Sequence, residues 1–331
     1  MQKIGVIGAG AWGTALAQSA ANAGREVIIW AREPEVVSSI NQTHTNDIFL
    51  PGIPLNPSIT ATDSLSKVAE CDILLIVTPA QFVRSTLAAL KGDLVEGKPV
   101  VICSKGIEIS TGLLMSHVAE EEVPEAAIAI LTGPTFASEI AAGKPCAVTI
   151  ATKDKDVGQE IRDALASKTF RPYTTDDLIG TQIGGAVKNV IAIACGVILG
   201  KDLGESARSA LMTRGVAEMA RLASAMGAQK ETLMGMCGFG DMVLTCSSMQ
   251  SRNFSLGYAL GQGKSFDAIM EERKGKAVTE GVYTAEAMVT MAKKHAVEMP
   301  ISEAVYRCVS AGDSVDELID SLMERPLKNE S

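Results

Sequence analysis

A lysine inside an apolar helical stretch is the feature of this chain that most invites a chemical reading. Lys188 sits in GGAVKNVIAIACG, with Gly184 and Ala192 one turn to either side and Cys195 further along the same face. An ammonium among apolar neighbours is unfavourable unless it is paired or used, and desolvation lowers its pKa toward the range where it exchanges a proton near neutral pH. Small flanking residues leave room for a cleft beside the amine. Lys188 therefore reads as a general acid and base, and Asn189 beside it as an amide that orients a substrate or satisfies a turn. Asp241, between a glycine and an apolar run in GFGDMVLTC, is the carboxylate able to pair with a catalytic lysine. Lys105 follows the strand-like VVIC, which puts it at the carboxyl edge of a parallel sheet, where open α/β folds bind ligands. Gly133, Thr135 and Ala137 in GPTFASEI start a helix after another strand and can present backbone N–H groups at the same edge. In Ser251-Arg252-Asn253, Ser251 is placed as a helix N-cap. A phosphate there would meet free N–H groups, a hydroxyl and a guanidinium together.

The second constellation is at the start of the chain. KIGVI reads as a strand, followed by Gly8, Gly10 and Gly13 in the G-x-G-x-x-G spacing, a helix, and a second strand EVIIW. The glycine spacing suits a dinucleotide: Gly8 permits a tight turn, Gly10 lets the backbone approach a pyrophosphate, and Gly13 lets the helix pack closely on the strand. Ala11 and Trp12 offer their backbone N–H groups at the helix start, with the Trp12 ring read as packing. The end of the second strand, where an acid usually meets a ribose 2′-hydroxyl, reads Trp30-Ala31-Arg32. A guanidinium in place of the acid welcomes a 2′-phosphate, so NADP(H) is favoured, with NAD(H) as the alternative through Glu33.

The elements that must hold these groups follow from periodicity. Continuous apolar runs in DILLIVTP, KPVVICSKG, AAIAILTGP and PCAVTIAT, alternating with helical segments, indicate parallel strands covered on both faces. EPEVVSSINQTH, AQFVRSTLAAL and DVGQEIRDALA read as helices, and LPGIPLNPSI as a proline-rich surface connection. Beyond FRPYTT only long alanine- and methionine-rich helical stretches remain, among them one with Met212, Met219 and Met226 as a core stripe. The fold class expected is an α/β Rossmann-like domain with a mostly parallel sheet over residues 1–178, followed by an all-α substrate domain over residues 179–331.

At 331 residues and 47% hydrophobic content the chain can bury a large core. A net charge of −9 argues against nucleic acid or an anionic membrane as partner, so an anionic small substrate needs local cations. Seven scattered cysteines with no C-x-x-C pair read as reduced thiols, and three histidines without ligand spacing make a catalytic metal unexpected. No opening segment resembles a secretory leader, and no apolar run is read as reaching the length of a bilayer span. The expectation is a cytoplasmic protein with no membrane insertion.

Together GAGAWGTALA, SKGIE, GPTFASEI, GGAVKNVIAIACG, GFGDMVLTCSS and SRNFSLG resemble, in order and over nearly the whole chain, the signatures of the bacterial NAD(P)-dependent glycerol-3-phosphate dehydrogenases. The resemblance implies a homodimer that interconverts sn-glycerol 3-phosphate and dihydroxyacetone phosphate for phospholipid synthesis. It makes Lys188 the proton donor and acceptor. It assigns Lys105, Gly133, Thr135, Lys188, Asp241, Ser251, Arg252 and Asn253 to the substrate, and Ala11, Trp12, Arg32, Lys105, Ala137, Arg252, Val278 and Glu280 to the cofactor. Position 135 is Thr where other members carry Ser or Asn. Two-domain β-hydroxyacid and ketopantoate reductases share the nucleotide unit and a helical lysine, but Ser251-Arg252-Asn253 at a helix start suits a phosphate rather than their carboxylate.

Overall fold

The computed structural model describes residues 2–274, 279–327 and 329. Eight segments become strands: β1 (Lys3–Ile7), β2 (Glu26–Trp30), β3 (Ile59–Thr62), β4 (Ile73–Ile76), β5 (Pro99–Ile102), β6 (Ala127–Thr132), β7 (Cys146–Ala151) and β8 (Phe170–Thr175). They form one sheet in the order β3-β2-β1-β4-β5-β6-β7-β8. The order reverses between β1 and β4, and that switch point opens a crevice at the carboxyl ends of the strands. Covering the sheet are α1 (Ala11–Asn22), α2 (Pro34–Thr43), α3 (Leu65–Ala69), α4 (Val83–Ala88), α5 (Met115–Glu122), α6 (Ala137–Ala141) and α7 (Lys155–Leu165). ILLI in β4 and PVVI in β5 are buried at every position, as strands covered on both faces require.

One pairing departs from the parallel reading of the apolar runs. β7 lies antiparallel to β6, with Thr132 opposite Thr149, and β8 then follows β7 in parallel. Between β6 and β7 the only helix is the five-residue α6, about 7.5 Å long at the helical rise. The equally short α3 joins β3 and β4, which run parallel in the same sheet, so the length of the helix alone does not set the direction of β7. β8 carries Pro172, which its position at the sheet edge tolerates.

The remaining helices are α8 (Leu178–Gly200), α9 (Glu205–Ala225), α10 (Lys230–Leu233), α11 (Asp241–Thr245), α12 (Arg252–Gly261), α13 (Phe266–Glu272), α14 (Glu280–Lys294), α15 (Pro300–Tyr306) and α16 (Val315–Met323). α8 corrects the expectation that no apolar run reaches bilayer length. Its 23 residues are long and apolar enough to cross a membrane, yet 83% of the most apolar window is buried inside the protein. Neighbouring helices cover it on all sides, which is why it is apolar all round. On one side α12 presses against it backbone to backbone: a Cβ on Gly257 would lie 1.8 Å from the Ile193 carbonyl oxygen, and one on Gly196 would lie 2.0 Å from that of Phe254. Gly200 and Gly261 continue the seam. Met219 is fully buried in this helical core, while Met212 and Met226 pack at its margin.

The helical core also takes in Ile107 and Leu114, from the loop that follows β5. Buried Gln182 of α8 holds Ser116 of α5 twice, through Ser116 N–H (2.9 Å) and Ser116 Oγ (2.8 Å). The sheet and the helices are thus joined by buried contacts.

Candidate active site

The β-strand ends, the start of α11 and the middle of α8 meet around one carboxylate. Asp241 is fully buried at the first position of α11. Its Oδ1 accepts from Lys188 Nζ at 2.7 Å and its Oδ2 from Lys105 Nζ at 2.7 Å. Lys188 also donates to Thr245 Oγ1 at 2.8 Å, and Lys105 to the Gly133 carbonyl at 3.2 Å. Asp241 and Thr245 share a face of α11 because they are four residues apart. The pairing expected between Asp241 and Lys188 is present, and the same carboxylate holds the second lysine as well.

Glycines permit this convergence, though not in the way the sequence suggested. Gly184 does not leave a cleft beside the amine. A Cβ there would lie 2.5 Å from the Cys237 carbonyl oxygen, so its bareness lets the π-helical turn Met236–Gly240 press on α8 and bring Asp241 to Lys188. Gly185 faces Thr132 Oγ1 and the stem of Lys105. The Lys105 loop is tied down from outside. Arg84 of α4 grips buried Glu108 with two 2.9 Å bonds and reaches Glu121 and Glu122, while Gln81 bonds the Ile107 carbonyl and the Ile109 N–H.

Electrostatics set the protonation of the pair. Burial pushes Lys188 down to about 8, and the nearby Lys105 charge acts the same way, while Asp241 opposes both. Burial pushes the Glu280 carboxyl upward against the attraction of Arg252, Lys105 and Lys188. Glu280 thus feels Arg252 together with the two lysines that Asp241 holds.

Ser251 caps α12 as expected, its Oγ accepting from Phe254 N at 3.2 Å. Arg252 is exposed, and Arg273 holds its carbonyl at 2.9 Å. Asn253 is buried, and its Oδ1 accepts from Gly281 N at 2.9 Å, tying α12 to the start of α14. That oxygen is engaged in the fold, so the amide nitrogen is the part of Asn253 able to serve an anion. Thr135 Oγ1 bonds the Gly133 carbonyl at 3.3 Å.

At the glycine turn, Gly8 has φ +117°, and a Cβ on Gly13 would lie 1.8 Å from the Gly8 carbonyl oxygen. A Cβ on Gly10 would meet nothing within 4 Å, so the space beside it is open. Ala11 opens α1, and Trp12 Nε1 is buried without a partner among the described residues. An open approach, a helix N-terminus and an unpaired buried donor fit a bound dinucleotide. Arg32 lies just past β2, 79% exposed, and bonds Glu33 at 2.9 Å. Ala137 opens α6, which packs against α1. Val278 lies outside the described residues.

Residues 3–158 match the N-terminal sequence profile of NAD-dependent glycerol-3-phosphate dehydrogenase, and residues 177–320 match its C-terminal profile. The chain belongs to the NAD-dependent glycerol-3-phosphate dehydrogenase family. A relative from Parvibaculum lavamentivorans, named as an NAD(P)+ glycerol-3-phosphate dehydrogenase, is 54% identical over 330 residues, covering 100% of this chain and 98% of its own. One of the same name from Caulobacter vibrioides is 52% identical, covering 100% and 99%. The crystal structure of glycerol-3-phosphate dehydrogenase from Coxiella burnetii superposes with a TM-score of 0.92 at 34% identity, covering 98% of this chain and 99% of that one.

Within this member of the family, two polar groups at the site, Thr245 and Thr132, escaped the motif reading, while Asn189 was already read there as an amide beside Lys188. Thr245 could have been found from its i+4 spacing to Asp241. Thr132 Oγ1 and Asn189 Nδ2 are both buried without a partner among the described residues. Asn189 follows Lys188 directly, whereas nothing in the sequence distinguishes Thr132 from an ordinary strand residue.

Proposed function

We propose that the chain interconverts sn-glycerol 3-phosphate and dihydroxyacetone phosphate, with Lys188 as the group that gives and takes the proton. The observation that carries this is the Asp241 clamp on two lysines. An ammonium has three protons; Asp241 and Thr245 accept two from Lys188, leaving the third for a substrate oxygen. In reduction that proton goes to the oxygen of the ketone as it becomes an alkoxide, and in oxidation the neutral amine takes it back. Bound NAD(P)(H), held by Gly8, Gly10, Ala11, Trp12, Gly13 and Arg32 with Lys105, Ala137, Arg252, Val278 and Glu280, supplies or accepts the hydride. Arg252, Asn253 and the cap at Ser251 bind the phosphate, and Lys105, Gly133 and Thr135 line the three-carbon end. The dianion is drawn to these cations although the whole chain carries −9.

Oxidation of NADPH by dihydroxyacetone phosphate, followed by absorbance, tests the reading. Turnover on a 2-keto acid and none on the ketone phosphate would move the chain to the hydroxyacid reductases. NADPH binding with no turnover on either would make it a binding module, a role for which a lysine only 6% exposed and twice hydrogen-bonded is poorly suited.

For the cofactor we propose a preference for NADP(H), supported by Arg32 where an acid would suit NAD(H). Arg32→Ala is expected to weaken NADPH binding by about 1.5–3 kcal/mol, the scale of a hydrogen bond to a charged group, and NADH binding little. Equal weakening of both, measured by titration, would remove Arg32 from the 2′-phosphate. A cytoplasmic homodimer serving phospholipid synthesis, with its substrate domain starting at residue 179, completes the proposal. Seven free cysteines suit a reducing compartment.

A further inference from the structure

The glycine turn is braced by a segment that no motif marks. Helix α1 is rich in alanine, but Thr14, Gln18 and Asn22 recur every fourth residue along it, and all three are bonded to the loop after α2. Gln18 Nε2 donates to the Pro54 carbonyl at 3.4 Å, and its Oε1 accepts from Asn56 N at 2.7 Å. Asn22 Oδ1 accepts from Asn56 Nδ2 at 3.2 Å. At the turn itself stands Asn46, 1% exposed. Its Nδ2 donates to the Ala9 carbonyl at 2.9 Å and to Thr14 Oγ1 at 2.8 Å, and Thr14 Oγ1 donates to the same carbonyl at 3.2 Å. Asn46 Oδ1 accepts from Phe49 N at 3.3 Å, which fixes which way the amide faces.

The Ala9 carbonyl belongs to the same peptide unit as the Gly10 N–H. No cis peptide occurs among the described residues, so the two bonds of this planar unit point in opposite directions. Holding the carbonyl toward Asn46 therefore turns the Gly10 N–H away from the brace. No acceptor for it is found among the described residues, and the space beside Gly10 is open. We propose that Asn46 is a positioning residue for dinucleotide binding: by holding the Ala9 carbonyl it aims the Gly10 N–H at the pyrophosphate. This rests on the dinucleotide reading of the turn and not on the identity of the ketone.

The test compares Asn46→Leu, similar in size and uncharged but without the amide donors, with Gln18→Ala, which loosens the same brace away from the turn. The dissociation constant of NADPH, read by fluorescence titration of the unmodified chain and the two variants, is expected to rise about tenfold in Asn46→Leu, as for loss of a hydrogen bond aligned on a charged group. Gln18→Ala should stay within about twofold even where both variants lose similar thermal stability. With NADPH saturating, kcat and the KM for dihydroxyacetone phosphate should be little changed in Asn46→Leu. Unchanged NADPH affinity in a folded Asn46→Leu protein overturns the proposal, and so does an equal rise in Gln18→Ala, which would make Asn46 merely structural. If Asn46→Leu does not fold, Asn46→Ser gives the same reading with less apolar bulk. Wild type that binds NADPH but does not reduce the ketone phosphate would refute the substrate and leave this comparison intact.

Discussion

Residue by residue, the site is one carboxylate shared by two ammonium groups, and its pH response follows. Burial disfavours the Lys188 ammonium and pushes its pKa down to about 8 from the ordinary 10.5. Ketone reduction needs the ammonium, so its kcat/KM should fall as pH rises through about 8. Alcohol oxidation needs the neutral amine and should fall as pH drops through the same value. A profile in which both directions are flat between pH 7 and 9 would remove Lys188 as the acid. Lys188→Met should lower kcat by roughly two to four orders of magnitude and leave NADPH binding largely intact. Arg252 answers to a different readout. Arg252→Leu should raise the KM for dihydroxyacetone phosphate at least about tenfold, while unphosphorylated dihydroxyacetone, lacking the group the guanidinium reads, should lose far less. An equal penalty on both substrates would assign Arg252 to the fold or the cofactor. The lysines, Asp241 and the cap at Ser251 were legible because each sits where a local rule singles it out: a charge in an apolar helix, an acid after glycines, a hydroxyl before a helix. Thr132 and Asn46 were not, since what marks them is where distant parts of the chain come to lie: Thr132 beside Gly185 of α8, and Asn46 against the Ala9 carbonyl.

At the scale of elements, glycine is the device that brings backbones close enough for these contacts. The α8–α12 seam has no space for a methyl group, so Gly257→Ala should cost at least about 2 kcal/mol through overpacking, seen as a lower urea midpoint. A midpoint equal to wild type would mean that the helices can separate without loss. Periodicity showed the long helices and the buried strands, because continuous apolar runs and 3.6-residue repeats are local signals. It did not show that β7 turns back against β6. A run buried on both faces reads the same whichever way the strand points, so the apolar pattern of β7 carries no sign of its direction. The stretch of α8 reads as one long buried helix, but Lys188 in its middle hides that its length and composition equal those of a membrane span.

Over the whole molecule, the loop that carries Lys105 is buried in the helical core through Ile107 and Leu114. Stability and activity are therefore coupled there. Ile107→Ala should cost about 2–5 kcal/mol as a buried deletion, and it should lower kcat at temperatures where the variant is still folded, because Lys105 loses its support. Loss of stability with full activity would show that the loop keeps its place without that anchor. The glycine seam has one more consequence at this scale. Because α8 and α12 are locked together, Lys188 on one and Arg252 and Asn253 on the other are carried by a single rigid body. On the proposed assignment this makes the protein a ruler, with one mark at the oxygen that exchanges a proton and the other at the phosphate. A ketone phosphate one carbon longer would reach one mark and miss the other, so chain length, more than polarity, is what such a gauge rejects.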